Sequence, residues 1–324
     1  MDLLTQIKQT ILPEFADYEN YFTQVLQSDN IYLNQVLAYV HARQGKQIRP
    51  LLILLSAKLC GKITESTLRL AASMELLHTA SLLHDDVVDN SSQRRGQASV
   101  NAEWNNKTAV LVGDYLLAKS IEIGISVSNE KALKIIAGIG QILASGELLQ
   151  LYAEWKTNPE ESTYFEIIRQ KTASLFASCM QLGAVSVNAS EEDAGCMSQF
   201  GEALGICFQL KDDYFDFTST NDDVGKPVLN DIKEGKITLP LLHALRNAPE
   251  KEATEVMKQI LHRQIENPEA IQHFVIKYGG LDYTLQKMEE YKLRAQEAVS
   301  RYLDNSSVKQ ALLDILSYAI ERTK

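Results

Sequence analysis

Apolar residues recur at intervals of three and four along nearly all of this 324-residue chain, and that period constrains its fold more than any other feature. Ile135, Ile136, Ile139, Ile142, Leu143 and Leu149 form one such row, and Val308, Leu312, Ile315, Leu316, Ala319 and Ile320 form another. Strand-like alternation bounded by turns is absent. With only 7 Pro and 16 Gly, the chain has little punctuation, which suits long helices with short connections. No Gly/Ser/Pro linker, low-complexity tract or repeat of 20–50 residues interrupts the pattern. The expectation is one all-α domain over residues 1–324, with its 45% apolar residues filling a sizeable core. The opening MDLLTQIKQTILPEF carries Leu3, Leu4, Ile7, Ile11 and Leu12 at helical spacing behind Asp2, as a first amphipathic helix and not a leader. No stretch reaches the ~18 uninterrupted apolar residues of a membrane span.

Charge and motifs remove several function classes. A formal net charge of −10 argues against a nucleic-acid binder and a polybasic membrane anchor. Cys60, Cys179, Cys196 and Cys207 form no CxxC pair and no zinc spacing, and read as reduced thiols in a cytoplasmic protein. No P-loop, GxGxxG or GxSxG is present, so nucleotide kinases, dehydrogenases and α/β-hydrolases drop out.

Two acidic clusters of the form DDxxD stand out: Asp85, Asp86 and Asp89 in LLHDDVVDN, and Asp212, Asp213 and Asp216 in LKDDYFDF. Each closes an otherwise apolar helix. Residues four apart share a helix face, so Asp85 and Asp89 point together, as do Asp212 and Asp216. Like charges so placed cost roughly 0.2–0.5 kcal/mol, and a helix C-terminus disfavours carboxylates. Stability does not explain the placement; a bound cation does. All-carboxylate ligands favour Mg²⁺, Mn²⁺ or Ca²⁺. The sequence after Asp85 lacks the ligand pattern of an EF-hand, whereas Mg²⁺ uses one or two carboxylates and completes its shell with water and phosphate. A single such cluster is often only a solvated helix end; the recurrence of the motif, each time followed by a basic loop, sets this pair apart.

Those loops carry Arg94 and Arg95 in Asn90–Ser99, and Lys226, Lys233 and Lys236 in Thr218–Lys236. Lys46 and Arg49 lie in ARQGKQIRP, where a new helix can start at Pro50, and Lys171 with Thr172 lie in RQKTASLF. Arginine grips phosphate in two-point fashion and lysine acts as a point charge. Each cation alone could be a surface charge; together with two metal sites they describe a pocket for two polyanions, each plausible as a diphosphate. His78 lies seven residues before Asp85 on the same face, as a ligand candidate or an ordinary helical histidine, and His84 on another face is structural.

HTASLLHDDVVDNSSQRRG and FQLKDDYFD resemble the first and second aspartate-rich motifs of the trans-isoprenyl diphosphate synthases, also called polyprenyl synthetases. GKQIRP, GDYLLA, KTASLF, GKPVLNDIKEGKITLP and the C-terminal YAIER fit as well, over about residues 40–322. The resemblance implies an all-α bundle of the isoprenoid synthase type around a deep central cavity, forming a homodimer. It implies head-to-tail condensation of isopentenyl diphosphate with an allylic diphosphate. Asp85, Asp89 and Asp212 would carry Mg²⁺, three ions with substrate bound, supported by Asp86, Asp213 and Asp216. Arg94, Lys171, Thr172, Gln209, Lys226 and Lys236 would hold the allylic diphosphate; Lys46, Arg49, His78 and Arg95 would hold isopentenyl diphosphate. Two departures from the family pattern are Leu229–Asn230, where Gly and a small residue are usual, and Asn105, where Gly is usual and which Asn could fill at a left-handed turn.

In this family the residues four and five before the first Asp often form the pocket floor. Here they are Ser81 and Ala80, both small, so the expected product is all-trans and longer than C20, with Ile139 and Leu143 as candidate deeper stops. The alternatives are a short-chain farnesyl or geranylgeranyl diphosphate synthase, a class I terpene cyclase, which has no use for an isopentenyl site, and a non-catalytic subunit, which would tend to lose aspartates that are all present here.

Overall fold

The computed structural model describes residues 3–154, 159–218, 229–233, 235–262, 265, 267–302 and 306–322. The expected helices are there: α1 (Leu3–Gln9), α2 (Leu12–Val25), α3 (Ile31–His41), α4 (Ile48–Cys60), α5 (Glu65–Val88), α6 (Val100–Glu103), α7 (Asn106–Ser126), α8 (Glu130–Glu154), α9 (Glu161–Ile168), α10 (Ser174–Ser186) and α11 (Glu191–Thr218), followed by further helices ending in Ser306–Glu321. The described strands are one antiparallel pair, β1 (Gln93–Arg94) and β2 (Gln97–Ala98), in what the sequence presents only as a polar loop.

The chain forms two compact units. One comprises residues 1–140, 178–198 and 301–314, the other 141–177, 199–300 and 315–324. In the first, every residue from Leu51 to Ala57 of α4 is inaccessible to water, so this stretch is buried on all sides, as in a core helix. Helix α5 packs against α2, α4 and α7. A capping box starts it, with Thr64 and Thr67 satisfying each other's backbone N–H groups. Its 24 residues span about 36 Å, carrying the chain from that cap to the first aspartate motif. Buried hydroxyls join the helices: Ser73 donates to the Ser120 carbonyl at 2.9 Å, and Thr67 meets Ser186 at 2.7 Å.

In the second unit Phe217, Ile232, Leu241, Phe274 and Val275 centre an apolar cluster. Between α9 and α10 the backbone makes one π-helical turn, Arg169–Ala173, which carries Lys171 and Thr172. Such turns re-aim side chains and recur at functional sites. Helix α8 is long and apolar enough, by length and composition, to cross a membrane. Its Ile136 and Ile139 are buried.

Two local expectations are corrected. Helix α4 begins at Ile48 rather than Pro50, which sits inside the first turn, where its missing N–H would have no helical partner anyway. Asn105 is extended (φ −178°, ψ 168°), not left-handed: it caps α7, its side chain accepting from the Thr108 N–H at 2.8 Å.

Candidate active site

The first aspartate motif ends α5, with Asp89 as its C-cap. Asp85 is half-buried, Asp89 is exposed, and Asp86 is only 2% exposed. The β1–β2 hairpin places Arg94 against Asp86. Arg94 Nε lies 2.9 Å from both carboxylate oxygens and Nη2 lies 2.7 Å from Oδ1. Arg94, expected to grip phosphate, therefore has its fork on Asp86. The hairpin turns on Arg95 (φ 54°) and Gly96 (φ 73°), the paired left-handed conformation of a tight two-residue turn. A non-glycine residue there costs about 1–2 kcal/mol.

A cavity of about 80 Å³ adjoins the hairpin, lined by Arg43, Gly45, Glu75, His78, Asp86, Arg94 and Arg95 among others. Arg95 Nη1 donates to the Arg43 carbonyl at 2.8 Å, and its guanidinium lies flat on Gly45. The Arg43 guanidinium stacks 3.2 Å above the Tyr39 ring, which meets Trp104 edge-on. Burial holds the His78 imidazole well below the usual histidine range, and Arg49, Arg95 and Arg94 push it the same way, so His78 is neutral. Glu75 was not anticipated. It is 7% exposed, its Oε2 has no hydrogen-bond partner, and burial raises its carboxyl pKa while Arg49 and Arg95 oppose the rise. The only sequence signal is a Glu within the otherwise uncharged run Leu70–Thr79, three residues before His78. Lys46 is exposed and does not line this cavity. Ala80 is buried, and Ser81, half-buried, donates to the His78 carbonyl at 2.8 Å.

In the second unit a cavity of about 210 Å³ brings together Lys171, Thr172, Gln209, Asp213 and Lys236. Asp213, 2% exposed, accepts from Tyr164 Oη and from Gln209 Nε2 at 2.9 Å, and Thr172 Oγ1 donates to Gln209 Oε1 at 2.9 Å. Burial and then Asp231 raise the Asp213 carboxyl pKa; Tyr164 and Gln209 partly oppose them. Lys171 Nζ sits 2.5 Å from Glu147 Oε2 and 2.7 Å from Gln150 Oε1. Gly146 permits this approach: a Cβ there would fall 2.7–3.1 Å from Gln170 and Lys171.

Asp216 accepts from the Asp231 N–H at 3.2 Å, and its carbonyl accepts from the Leu229 N–H at 3.1 Å. Leu229 adopts φ 61° while fully buried, which explains why glycine suits this position. Asp212, half-buried, pairs with Arg322 at 2.8 Å. Lys226 lies outside the described residues. Tyr164 and Glu147 went unnoticed in the sequence, and Asp231 and Arg322 lay in motif segments without a role, because each is distant in sequence from the residue it meets.

The two motifs repeat one design. The middle aspartate is buried and tied to protein donors, Asp86 to Arg94 and Asp213 to Tyr164 and Gln209, while Asp85, Asp89 and Asp212 are more accessible. Oxygen-only donors, few per helix and beside cations that can bind phosphate, fit Mg²⁺. Asp85 and Asp89 could hold it in the first unit and Asp212 in the second.

An all-α protein with twinned acidic helix ends, each near a cavity that carries Lys or Arg, is one equipped for polyanions and hard divalent cations. The polyprenyl synthetase family model matches residues 30–277, and the chain belongs to that family. It is 34% identical over 322 residues to the octaprenyl diphosphate synthase of Haemophilus influenzae, covering 98% of this chain and 97% of that one. It superposes on a polyprenyl synthase from Caulobacter crescentus, solved with calcium and isoprenyl diphosphate, with a TM-score of 0.91 at 33% identity, covering 99% and 98% of the two chains. A geranylgeranyl pyrophosphate synthase from Bacteroides thetaiotaomicron is 37% identical, with a TM-score of 0.84 and coverage of 99% and 100%.

Proposed function

We propose that this protein is a Mg²⁺-dependent trans-prenyltransferase that condenses isopentenyl diphosphate with an allylic diphosphate, head to tail, into an all-trans polyprenyl diphosphate longer than C20. The observation that carries this reading is the twinned motif, in which the middle aspartate is buried on protein donors while Asp85, Asp89 and Asp212 stay more accessible. Mg²⁺, when bound, supplies charge neutralisation at the departing diphosphate. We take three ions with substrate bound as the working number.

The chain's own residues do the rest. Lys171, Thr172, Gln209 and Lys236, which share one cavity, hold the allylic diphosphate with Arg94 and Lys226. Lys171 exchanges Glu147 for the substrate. Arg95, Arg49, Lys46 and neutral His78 hold isopentenyl diphosphate, and Glu75 lines the same cavity as Arg95 and His78. Asp86, Asp213 and Asp216 orient the motifs. Apolar surroundings exclude water, which would quench the allylic cation before the isopentenyl double bond attacks it. The isopentenyl double bond is the nucleophile and the released diphosphate is the proton acceptor, so neither a side-chain nucleophile nor a side-chain base is needed.

Small Ala80 and Ser81 let the growing chain pass the level of the first motif. The octaprenyl-forming relative supports the long product; the geranylgeranyl-forming relative supports a short one. We read residues 1–324 as a single all-α polyprenyl synthetase domain. We place the protein in the cytoplasm, as a homodimer.

The test is incubation of the purified chain with Mg²⁺, isopentenyl diphosphate and geranyl diphosphate, followed by product chromatography. A ladder beyond C20 is expected, and EDTA abolishes it. Turnover of the allylic substrate alone would make it a terpene cyclase, and a stop at C15 or C20 a short-chain synthase.

A further inference from the structure

Arg322, the last residue of the YAIER segment, carries the final turn of the C-terminal helix back to the second aspartate motif. Its N–H bonds to the Tyr318 carbonyl, and Leu316 and Ala319 of the same helix are buried. Nη2 donates to Asp212 Oδ1 at 2.8 Å and to the Phe208 carbonyl at 2.9 Å, while Nε donates to the Ala319 carbonyl at 3.3 Å. The guanidinium lies over the Phe208 ring, 3.9 Å from its centroid. Only 10% of this side chain is exposed, against 45% of Asp212.

Phe208 and Asp212 are four residues apart on α11, on one face. A single guanidinium nitrogen therefore links the backbone of one turn to the carboxylate of the next. Two carbonyls and a ring would hold Arg322 in place even if Asp212 turned away, so the arginine is the fixed member of the pair and the aspartate the adjustable one. A hydrogen bond to one carboxylate oxygen orients the group for the other, and supporting bonds of this kind are typically worth 10–100-fold in metal affinity. The opposing effect is charge: a guanidinium beside a cation site repels the cation.

We propose that Arg322 is a positioning residue that holds the Asp212 carboxylate in the orientation that accepts a divalent cation. The inference rests on Asp212 being a metal ligand. Orientation and repulsion predict opposite signs on removal of Arg322, so the sign of the change decides between them.

The experiment is an electron paramagnetic resonance titration of Mn²⁺ onto the full chain in the presence of inorganic diphosphate. It compares wild type, Arg322→Met, Arg322→Lys and Asp212→Asn below the lowest of their melting temperatures. Arg322→Met should weaken Mn²⁺ binding about tenfold, although it removes a positive charge. Arg322→Lys keeps the charge without the planar fork and should bind at least as weakly as Arg322→Met. Binding that is unchanged or tighter in Arg322→Met, or wild-type affinity in Arg322→Lys, overturns the proposal, and a lowered melting temperature with unchanged Mn²⁺ affinity does the same by making Arg322 merely structural. Asp212→Asn separates the two layers. If it loses Mn²⁺ while Arg322→Met does not, only the positioning role falls; if it binds Mn²⁺ as wild type does, the ligand assignment falls and takes the positioning role with it.

Discussion

Replacing Gly45 by Ala adds one methyl group at the point where Arg95 rests. A Cβ at Gly45 would lie 2.5 Å from Arg95 Nη2, 2.7 Å from Cζ and 2.8 Å from Nη1, whereas ordinary contact begins near 3.4 Å. The guanidinium must retreat by about 0.6–0.9 Å, the difference between those distances. That retreat breaks its 2.8 Å bond to the Arg43 carbonyl. A hydrogen bond to a charged group is worth about 1.5–3 kcal/mol, or roughly 10–150-fold in affinity when it orients a ligand-binding group. The fold hardly registers the change. The displaced atoms are the far end of a flexible, exposed side chain, and Gly45 is not in the left-handed region, so alanine stiffens the unfolded loop by about 0.4–1 kcal/mol in favour of the native state. The assay is steady-state kinetics with each substrate varied in turn, alongside a thermal melt. The expected result is a KM for isopentenyl diphosphate raised by about 10–100-fold, with the allylic KM and the melting temperature nearly unchanged. An unchanged isopentenyl KM would refute the placement of Arg95 in that substrate's site. Equal rises in both KM values, with a lowered melting temperature, would refute the claim that only the guanidinium moves.

Three further outcomes are expected. Ala80→Phe should shorten the product on chromatography while activity persists; an unaltered product length would remove this level of α5 from the tunnel wall. Arg94→Met leaves the buried Asp86 carboxylate without its guanidinium and should cost about 3 kcal/mol in a urea melt, with only partial recovery in Arg94→Lys. Because the folded-state pKa of His78 is depressed, its contribution to stability is present above pH ~6.5 and lost as pH falls from there towards the folded value. His78→Gln should therefore flatten the acid limb of stability by up to about 1.4 kcal/mol per pH unit, and an identical limb would contradict a buried neutral imidazole.

Much of the helical architecture was legible because helix formation follows from local period: α8 and the last helix, Ser306–Glu321, coincide with the two apolar rows, α5 and α11 are the apolar helices that carry the two motifs, and Asp89 ends α5 as its motif suggests. The hairpin that aims Arg94 and Arg95 was less legible, since NSSQRRGQAS contains no alternating apolar residues to announce two strands. The role of Asn105 was misjudged because the same residue serves both left-handed turns and helix caps, and only the backbone angles distinguish them.

Sequence alone determined the chemical inventory: paired carboxylates at helical spacing, cations close behind them, and a histidine two turns upstream. These are short-range relations, fixed by the rise and pitch of one helix. Tertiary structure alone decided which groups are engaged. It gave Asp86 to Arg94, Asp213 to Tyr164, Lys171 to Glu147, and Asp212 to Arg322. Those partners lie from 8 to 110 residues apart along the chain. Their pairing depends on how buried faces pack and on which charges lose their water, and no local period encodes either.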